Sequence, residues 1–296
     1  MKPKLIVVAG ANGRLGRLVI SSLLEHPDVV VRALARDPRQ LADLAGPRVS
    51  VTAWDAARPD DAVVSGAYAV VSTLQGGPDI IVDAQLALLR AARAVGARRF
   101  LPSDYSFDLF KLAPGVNINS DWRRAFAEAA SDARGAVEVV HLMQGIFADR
   151  YVATFLGLLD ADATQLRYWG DPRTPIDWTT WEDTARFLAA AAVDERVVPE
   201  RLYVAGDRQS VEGVAAAWRH VRGTAPALVS LGTLDALAAE TERRLAAAPH
   251  DMMAWLPLMY ARGVFGGGAL LGELANDRYP QIKAETVVDA LRRGAL

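Results

Sequence analysis

Three glycines in the segment GANGRLG, Gly10, Gly13 and Gly16, lie between a short apolar run and a helical pattern. In that setting the first glycine permits a tight turn. The second lets the backbone approach a pyrophosphate, and the third lets the helix pack closely on the strand. The N-terminus of the following helix adds unpaired N–H groups and a positive field, so the loop suits a phosphate. The whole loop, Gly10, Ala11, Asn12, Gly13, Arg14, Leu15 and Gly16, is therefore read as a dinucleotide cradle.

The residues after the second apolar run bear on which dinucleotide. A site for NAD usually ends this strand with an acid that bonds the ribose 2′-hydroxyl. Here VVVRALARDPR ends in Arg36, with Arg39 three residues on and Arg14 inside the glycine loop. A guanidinium can fork onto a 2′-phosphate, a charge-assisted contact of about 1.5–3 kcal/mol. NADP(H) is therefore the expected cofactor, although Asp37, next to Arg36, could serve a ribose hydroxyl instead. Further cofactor contacts are expected at later strand ends: Asp55 near the adenine, Thr73, Leu74 and Gln75 near a ribose, then Ser103, Gln144 and Phe147. His141 falls within a strand and is read as a hydrogen-bonded core histidine.

For proton transfer the chain offers few groups. It has four lysines, Lys2, Lys4, Lys111 and Lys283, and only Lys111 lies away from the ends. In SDYSFDLFK, Tyr105 and Lys111 are the expected catalytic pair. Lys111 could hold a ribose or donate a proton if burial lowers its pKa. Tyr105 could donate a proton or simply wall the pocket. Asp104 is expected to make a loop bond and Asp121 to cap a helix.

These residues need a scaffold that brings strand ends together. Strands are expected at 5–10, 29–36, 49–54, 68–73, 98–103 and 137–142, with helices at 14–26, 80–97 and 121–134 between them. Such alternation predicts an α/β fold built on a doubly wound parallel sheet, its strand C-termini on one edge. After about residue 145 helical patterns dominate, and five of the seven tryptophans lie beyond residue 150. The division expected is a nucleotide-binding domain over 1–145 and a smaller, mostly helical substrate lobe over 146–296. In TTWED, Thr180 and Asp183 have the spacing of a helix cap. The glycine run 266–268 reads as a loop.

Composition excludes several classes. With 51% hydrophobic and 23% charged residues the chain is globular rather than disordered. A net charge of −2 gives no concentrated positive surface for nucleic acid. The absence of cysteine removes disulfides, thiol nucleophiles and cysteine metal sites, and the four histidines lack ligand spacing, so no metal is expected. No stretch approaches the roughly 18 apolar residues of a membrane span, and the expected location is the cytoplasm.

The succession GANGRLG, ALARDPR, VVSTLQGG, RRFLPSDYSFD and LMQGIFAD resembles the isoflavone-reductase-like and NmrA-like branch of atypical short-chain dehydrogenases. The later YWGDPRTPIDWTTWEDTARFLAAAAVD is similar to the corresponding region of bacterial NmrA-like proteins. The resemblance implies a Rossmann-type NADP-binding fold with a C-terminal substrate lobe. Two departures matter. No tyrosine has the lysine four residues later that most short-chain dehydrogenases use. The lysine that plant-type reductases of the branch carry before the sixth strand corresponds to Asn119, which can hydrogen-bond but is no proton donor near neutral pH. The expected activity is NADPH-dependent hydride transfer to a carbonyl or activated alkene of a small apolar or aromatic molecule. The rival is a nucleotide-sensing regulator without turnover, which would need a partner protein.

Overall fold

The computed structural model describes residues 3–58 and 60–296. The first half alternates as its apolar runs require. β1 (Lys4–Ala9), β2 (Val29–Ala35), β3 (Val49–Ala53), β4 (Ala69–Ser72), β5 (Arg99–Leu101) and β6 (Glu138–Val139) form a parallel sheet in the order β3-β2-β1-β4-β5-β6. The crossovers are α1 (Arg14–Leu24), α2 (Gln85–Ala94, continuing a π-helical turn at Asp79–Ala84) and α3 (Ile118–Ala133). The chain winds outward from β1 to β3, then returns to lay β4 on the other side of β1. That reversal opens a crevice at the C-terminal ends of β1 and β4, the usual ligand position in such sheets.

The strand expected at 137–142 is split. β6 ends at Val139, Val140 N–H still donates to Phe100 O of β5 at 2.9 Å, and β7 (His141–Met143) takes a new partner. The remaining elements are β8 (Ile146–Phe147), α4 (Arg150–Phe155), β9 (Gln165–Trp169), β10 (Ile176–Thr179), α5 (Trp181–Val193), β11 (Arg201–Tyr203), β12 (Asp207–Gln209), α6 (Val211–Arg222), β13 (Ala227–Gly232), α7 (Leu234–Ala247), α8 (Met252–Phe265) and α9 (Val287–Arg293). The glycine run 266–268 follows a helix, α8.

A division at residue 145 does not follow the packing. β11 pairs in parallel with β7 in a two-stranded sheet that follows directly on β6. α5 lies against α1, and its Ala185, Leu188, Ala189 and Ala192 share one core with Ile6, Val8, Val19, Ile20 and Leu23. Small alanines let the helix approach closely, and the buried run costs too much to leave in water. Residues 181–204 thus rejoin the first layer. The companion lobe keeps a separate core around Trp178, Phe265, Leu237 and Val214. Thr180 caps α5 as expected, accepting from Asp183 N–H at 3.0 Å. No helix among the described residues is long and apolar enough to cross a membrane.

Candidate functional site

A cleft of roughly 860 Å³ runs over the crevice between β1 and β4 and is lined from the glycine loop to the start of α5. The loop's glycines each do separate work. Gly10 has φ +78°, and a Cβ there would lie 2.8 Å from Thr73 backbone atoms. A Cβ on Gly16 would sit 2.5 Å from Gly10 O. Gly13, by contrast, meets nothing closer than Gly10 O at 3.4 Å, so its backbone stands open to the cleft. Gly13 is also the N-cap of α1, which has neither a side-chain cap nor an acid in its first turn. Those uncapped N–H groups form a cradle that fits a phosphate. Thr73 braces the loop from β4, donating its hydroxyl within 3.0 Å of Ala9 O and Gly10 O.

Arg36, Arg39 and Arg14 are the arginines expected near a 2′-phosphate, and the structure separates them. Arg36 is exposed, lines the cleft and has no carboxylate partner among the described residues. Arg39 turns outward, does not line the cleft, and grips Asp37 with Nε and Nη2 at 2.9 and 3.0 Å. The Arg39 side chain and backbone N–H together hold the Asp37 carboxyl below its ordinary pKa. Arg14 lines the cleft, but its guanidinium bonds Asp149 at 2.7 Å and lies 4.9 Å over the Trp181 ring. It ties the glycine loop to the second lobe. Asp55 lines the same end and accepts from Ala57 N–H at 3.1 Å, closing a turn.

The other end of the cleft is walled by Leu74, Gln75, Ile80, Ser103, Tyr105, Arg123, Phe147 and Trp181. Phe147 and Trp181 stack nearly parallel, 3.6 Å between ring centroids. The Trp181 indole N–H is buried without an acceptor among the described residues. Tyr105 donates its hydroxyl to Ser72 O at 2.6 Å, and burial, then the Asp104 carboxylate, hold the phenol well above its ordinary pKa. Asp104 is fully buried and bonds Nδ1 of His141, confirming a loop bond to a core histidine.

Several expected site residues lie elsewhere. Lys111 is half-exposed, with Nζ donating to Leu270 O at 2.6 Å and 3.6 Å from Asp108, and it does not reach the cleft. The loop after β5 turns it outward, so an expectation based on proximity in sequence fails. Gln144 is fully buried; its backbone carbonyl accepts from the Thr179 hydroxyl at 2.6 Å, and Gly145 (φ +78°) turns the chain against Asp177. Ala11 is core, its N–H directed to Leu34 O. Asp121 sits in the first turn of α3, whose cap is Asn117, accepting from Ser120 N–H at 3.0 Å. Sequence reading missed Arg123, Trp181, Trp54 and Gln40 as lining residues. For Trp181 a signal existed, since the TTWED cap fixes a helix start, but nothing in the sequence says that this start faces the glycine loop. Of the later tryptophans only Trp181 lines the cleft; Trp178 and Trp255 fill cores.

A doubly wound sheet with a glycine-loop cleft at its switch point defines a nucleotide-binding protein of Rossmann type. The chain belongs to the NAD(P)H-binding family, whose model matches residues 10–194. No curated protein matches the chain significantly. Among solved structures it is similar to an isoflavone reductase (TM-score 0.81, 15% identity, 99% of this chain and 100% of that one). It is also similar to leucoanthocyanidin reductase with NADPH from Vitis vinifera (TM-score 0.80, 18% identity, 98% of each chain). A third is the NADPH-dependent quinone oxidoreductase of Escherichia coli with NADPH (TM-score 0.74, 18% identity, 97% of this chain and 99% of that one). These likenesses establish a shared fold.

Proposed function

We propose that the protein is an NADPH-dependent reductase delivering hydride to a carbonyl or activated alkene of a small apolar or aromatic molecule. The observation that carries the choice of NADPH is the pairing at the end of β2. Asp37 lines the cleft but is already paired with Arg39, while Arg36, with no carboxylate partner among the described residues, is available for a 2′-phosphate. The open backbone at Gly13 and the uncapped start of α1 fit a pyrophosphate. In this reading the backbone of Gly10, Asn12 and Gly13 binds the pyrophosphate, while Asp55 and Trp54 border the adenine. Thr73, Leu74 and Gln75 border the second ribose, and Ser103 and Phe147 the nicotinamide. When bound, the reduced cofactor supplies the hydride. The chain's own part is to orient the acceptor and exclude water: Tyr105, Phe147 and Trp181 make an aromatic wall, which suits a flat apolar substrate.

A second reading, a regulator that binds NADP(H) without turnover, is favoured by Asn119. It stands where a plant-type lysine would, and its Nδ2 donates to Tyr260 at 3.1 Å. Calorimetric titration with NADPH, NADP+, NADH and NAD+ separates the two. Tight NADPH binding with about tenfold weaker NADH binding, or 1.4 kcal/mol, supports the reductase. A preference for oxidised nucleotides over NADPH supports the regulator.

A further inference from the structure

A second cavity, of roughly 650 Å³, lies within the companion lobe and shares no lining residue with the nucleotide cleft. One wall is β9, whose alternate residues face the same side of the strand, so that Arg167 and Trp169 both line the cavity. The strand is held from two directions. Arg167 N–H donates to Leu158 O at 2.7 Å, and the residue pairs with Val229 of β13 in a parallel ladder. The end of α4 brings Phe155, α8 brings Leu258, and α7 closes the side with Ala236, Glu240 and Arg244. Phe155, Trp169 and Leu258 are half-buried and pack on the lobe's own core, so the apolar wall is part of the fold.

The charged groups of this cavity are unequally paired. Arg243 forks onto the Glu240 carboxylate with Nε and Nη2 at 2.7 Å each, and Arg244 Nε adds a further bond at 2.6 Å. The carboxylate is therefore fully engaged, while Arg244 Nη2 has no acceptor among the described residues. Arg167 is half-buried and directs Nε to Gln165 Oε1 at 2.9 Å; neither of its Nη atoms has an acceptor among the described residues. The Asp160 carboxylate feels the charge of Arg167 but is bonded by Thr164 and by Gln165 N–H, and makes no ion pair with it. Two guanidinium groups thus bring spare donors to a ring-lined cavity whose own acid is already neutralised. That arrangement complements an anion with an apolar body.

We infer that this cavity is a second ligand site, taking a planar aromatic carboxylate whose acid group bonds Arg167 and whose ring lies against Phe155, Trp169 and Leu258. The two halves of the ligand follow from the two halves of the lining. A guanidinium presents parallel N–H groups at the spacing of a carboxylate's oxygens, and a half-buried one is less screened by water than a surface cation. Aromatic side chains favour flat rings, stacked with an offset or met edge to face. An inorganic anion would leave the apolar wall unused, and a neutral arene would leave the spare guanidinium donors to water. The inference goes beyond the reductase reading and does not depend on it, because none of these residues lines the nucleotide cleft and the ligand exchanges no hydride.

The test titrates the full chain with 2-naphthoate by ligand-observed NMR, with and without saturating NADP+. Binding with Kd of about 1 mM or tighter is expected, the same in both conditions. Arg167→Gln should weaken it at least about tenfold. Ala236→Phe fills the cavity from an exposed position on α7 and should abolish binding, and it covers the case in which the Arg167 variant folds poorly. The uncharged 2-naphthylmethanol and inorganic phosphate should each bind at least about tenfold more weakly than 2-naphthoate. Arg123→Gln, which alters the nucleotide cleft instead, should leave the binding in place. Absence of binding to the wild type, as for a cavity covered by a second copy of the chain, overturns the site. So does binding that survives both Arg167→Gln and Ala236→Phe, or a loss that follows Arg123→Gln instead. Equal binding of the alcohol or of phosphate overturns the ligand class. A wild type that binds 2-naphthoate at Arg167 but no NADPH upholds this site and removes the reductase reading alone.

Discussion

Arg39 takes both carboxylate oxygens of Asp37, Nε to Oδ1 at 2.9 Å and Nη2 to Oδ2 at 3.0 Å, and leaves Arg36, which lines the cleft at the end of β2, without a carboxylate partner among the described residues. Cofactor choice should therefore depend on two arginines in different ways. Arg36→Ala should weaken NADPH at least about tenfold and NADH little, as expected for losing a charge-assisted phosphate contact. Arg39→Ala should free Asp37 for a ribose hydroxyl and raise NADH affinity relative to NADPH. Calorimetry on both variants checks the pair, and an Arg39→Ala variant with unaltered preference would show that Asp37 does not face the ribose.

Lys111→Ala should leave turnover and NADPH affinity unchanged. Its ammonium serves Leu270 O and Asp108 at the surface, and such exposed contacts are worth about 0–1 kcal/mol. Steady-state rates and a thermal melt suffice, with a rate loss above about tenfold returning the lysine to the active site.

Tyr105→Phe removes a hydrogen bond to Ser72 O, leaving that carbonyl short of one donor. The expected cost is about 1 kcal/mol of stability, with turnover largely retained. A lost limb in the pH–rate profile would instead mark the phenol as a proton donor.

Gly16→Ala should destabilise the protein by about 1–3 kcal/mol and abolish nucleotide binding, since the new Cβ would lie 2.5 Å from Gly10 O and 2.8 Å from Ala11 Cα. Gly13→Ala meets only a 3.4 Å contact and should fold normally, with its effect confined to cofactor affinity. Melting curves with and without NADPH distinguish the two.

Asp194 at the C-terminus of α5 predicts an acid-sensitive joint. Burial alone would raise its pKa, but hydrogen bonds from Arg196 and the charge of Arg278 outweigh it and bring the value down to about 2. Because the folded value lies below the unfolded one near 3.8, its contribution of about 2 kcal/mol is present above pH 4 and is lost as pH falls toward 2. Asp194→Asn should lower the melting temperature at pH 7, and the difference from wild type should close in that acid window. A gap independent of pH would place the contribution in packing.

Local pattern sufficed wherever an element's chemistry lay within its own residues. The apolar runs and turn glycines determined the first five strands of the parallel sheet and the start of the sixth, and the strand–loop–helix context of Gly10, Gly13 and Gly16 marked the loop proposed to hold a dinucleotide. Thr180 and Asp183 likewise announced the start of α5. Tertiary packing decided the rest, because side-chain direction at a loop or helix start depends on what closes over it. Only the fold sends Lys111 outward to Leu270 and turns Gln144 into the interior at Gly145. Only the return of α5 onto α1, driven by burying its alanine and leucine face, sets Trp181 against Arg14 and Phe147. Arg123, one helical turn beyond Asn119, reaches the cleft because Asn117 caps the start of α3 and the guanidinium bonds Ser103 O after β5, the latter a contact between separate elements.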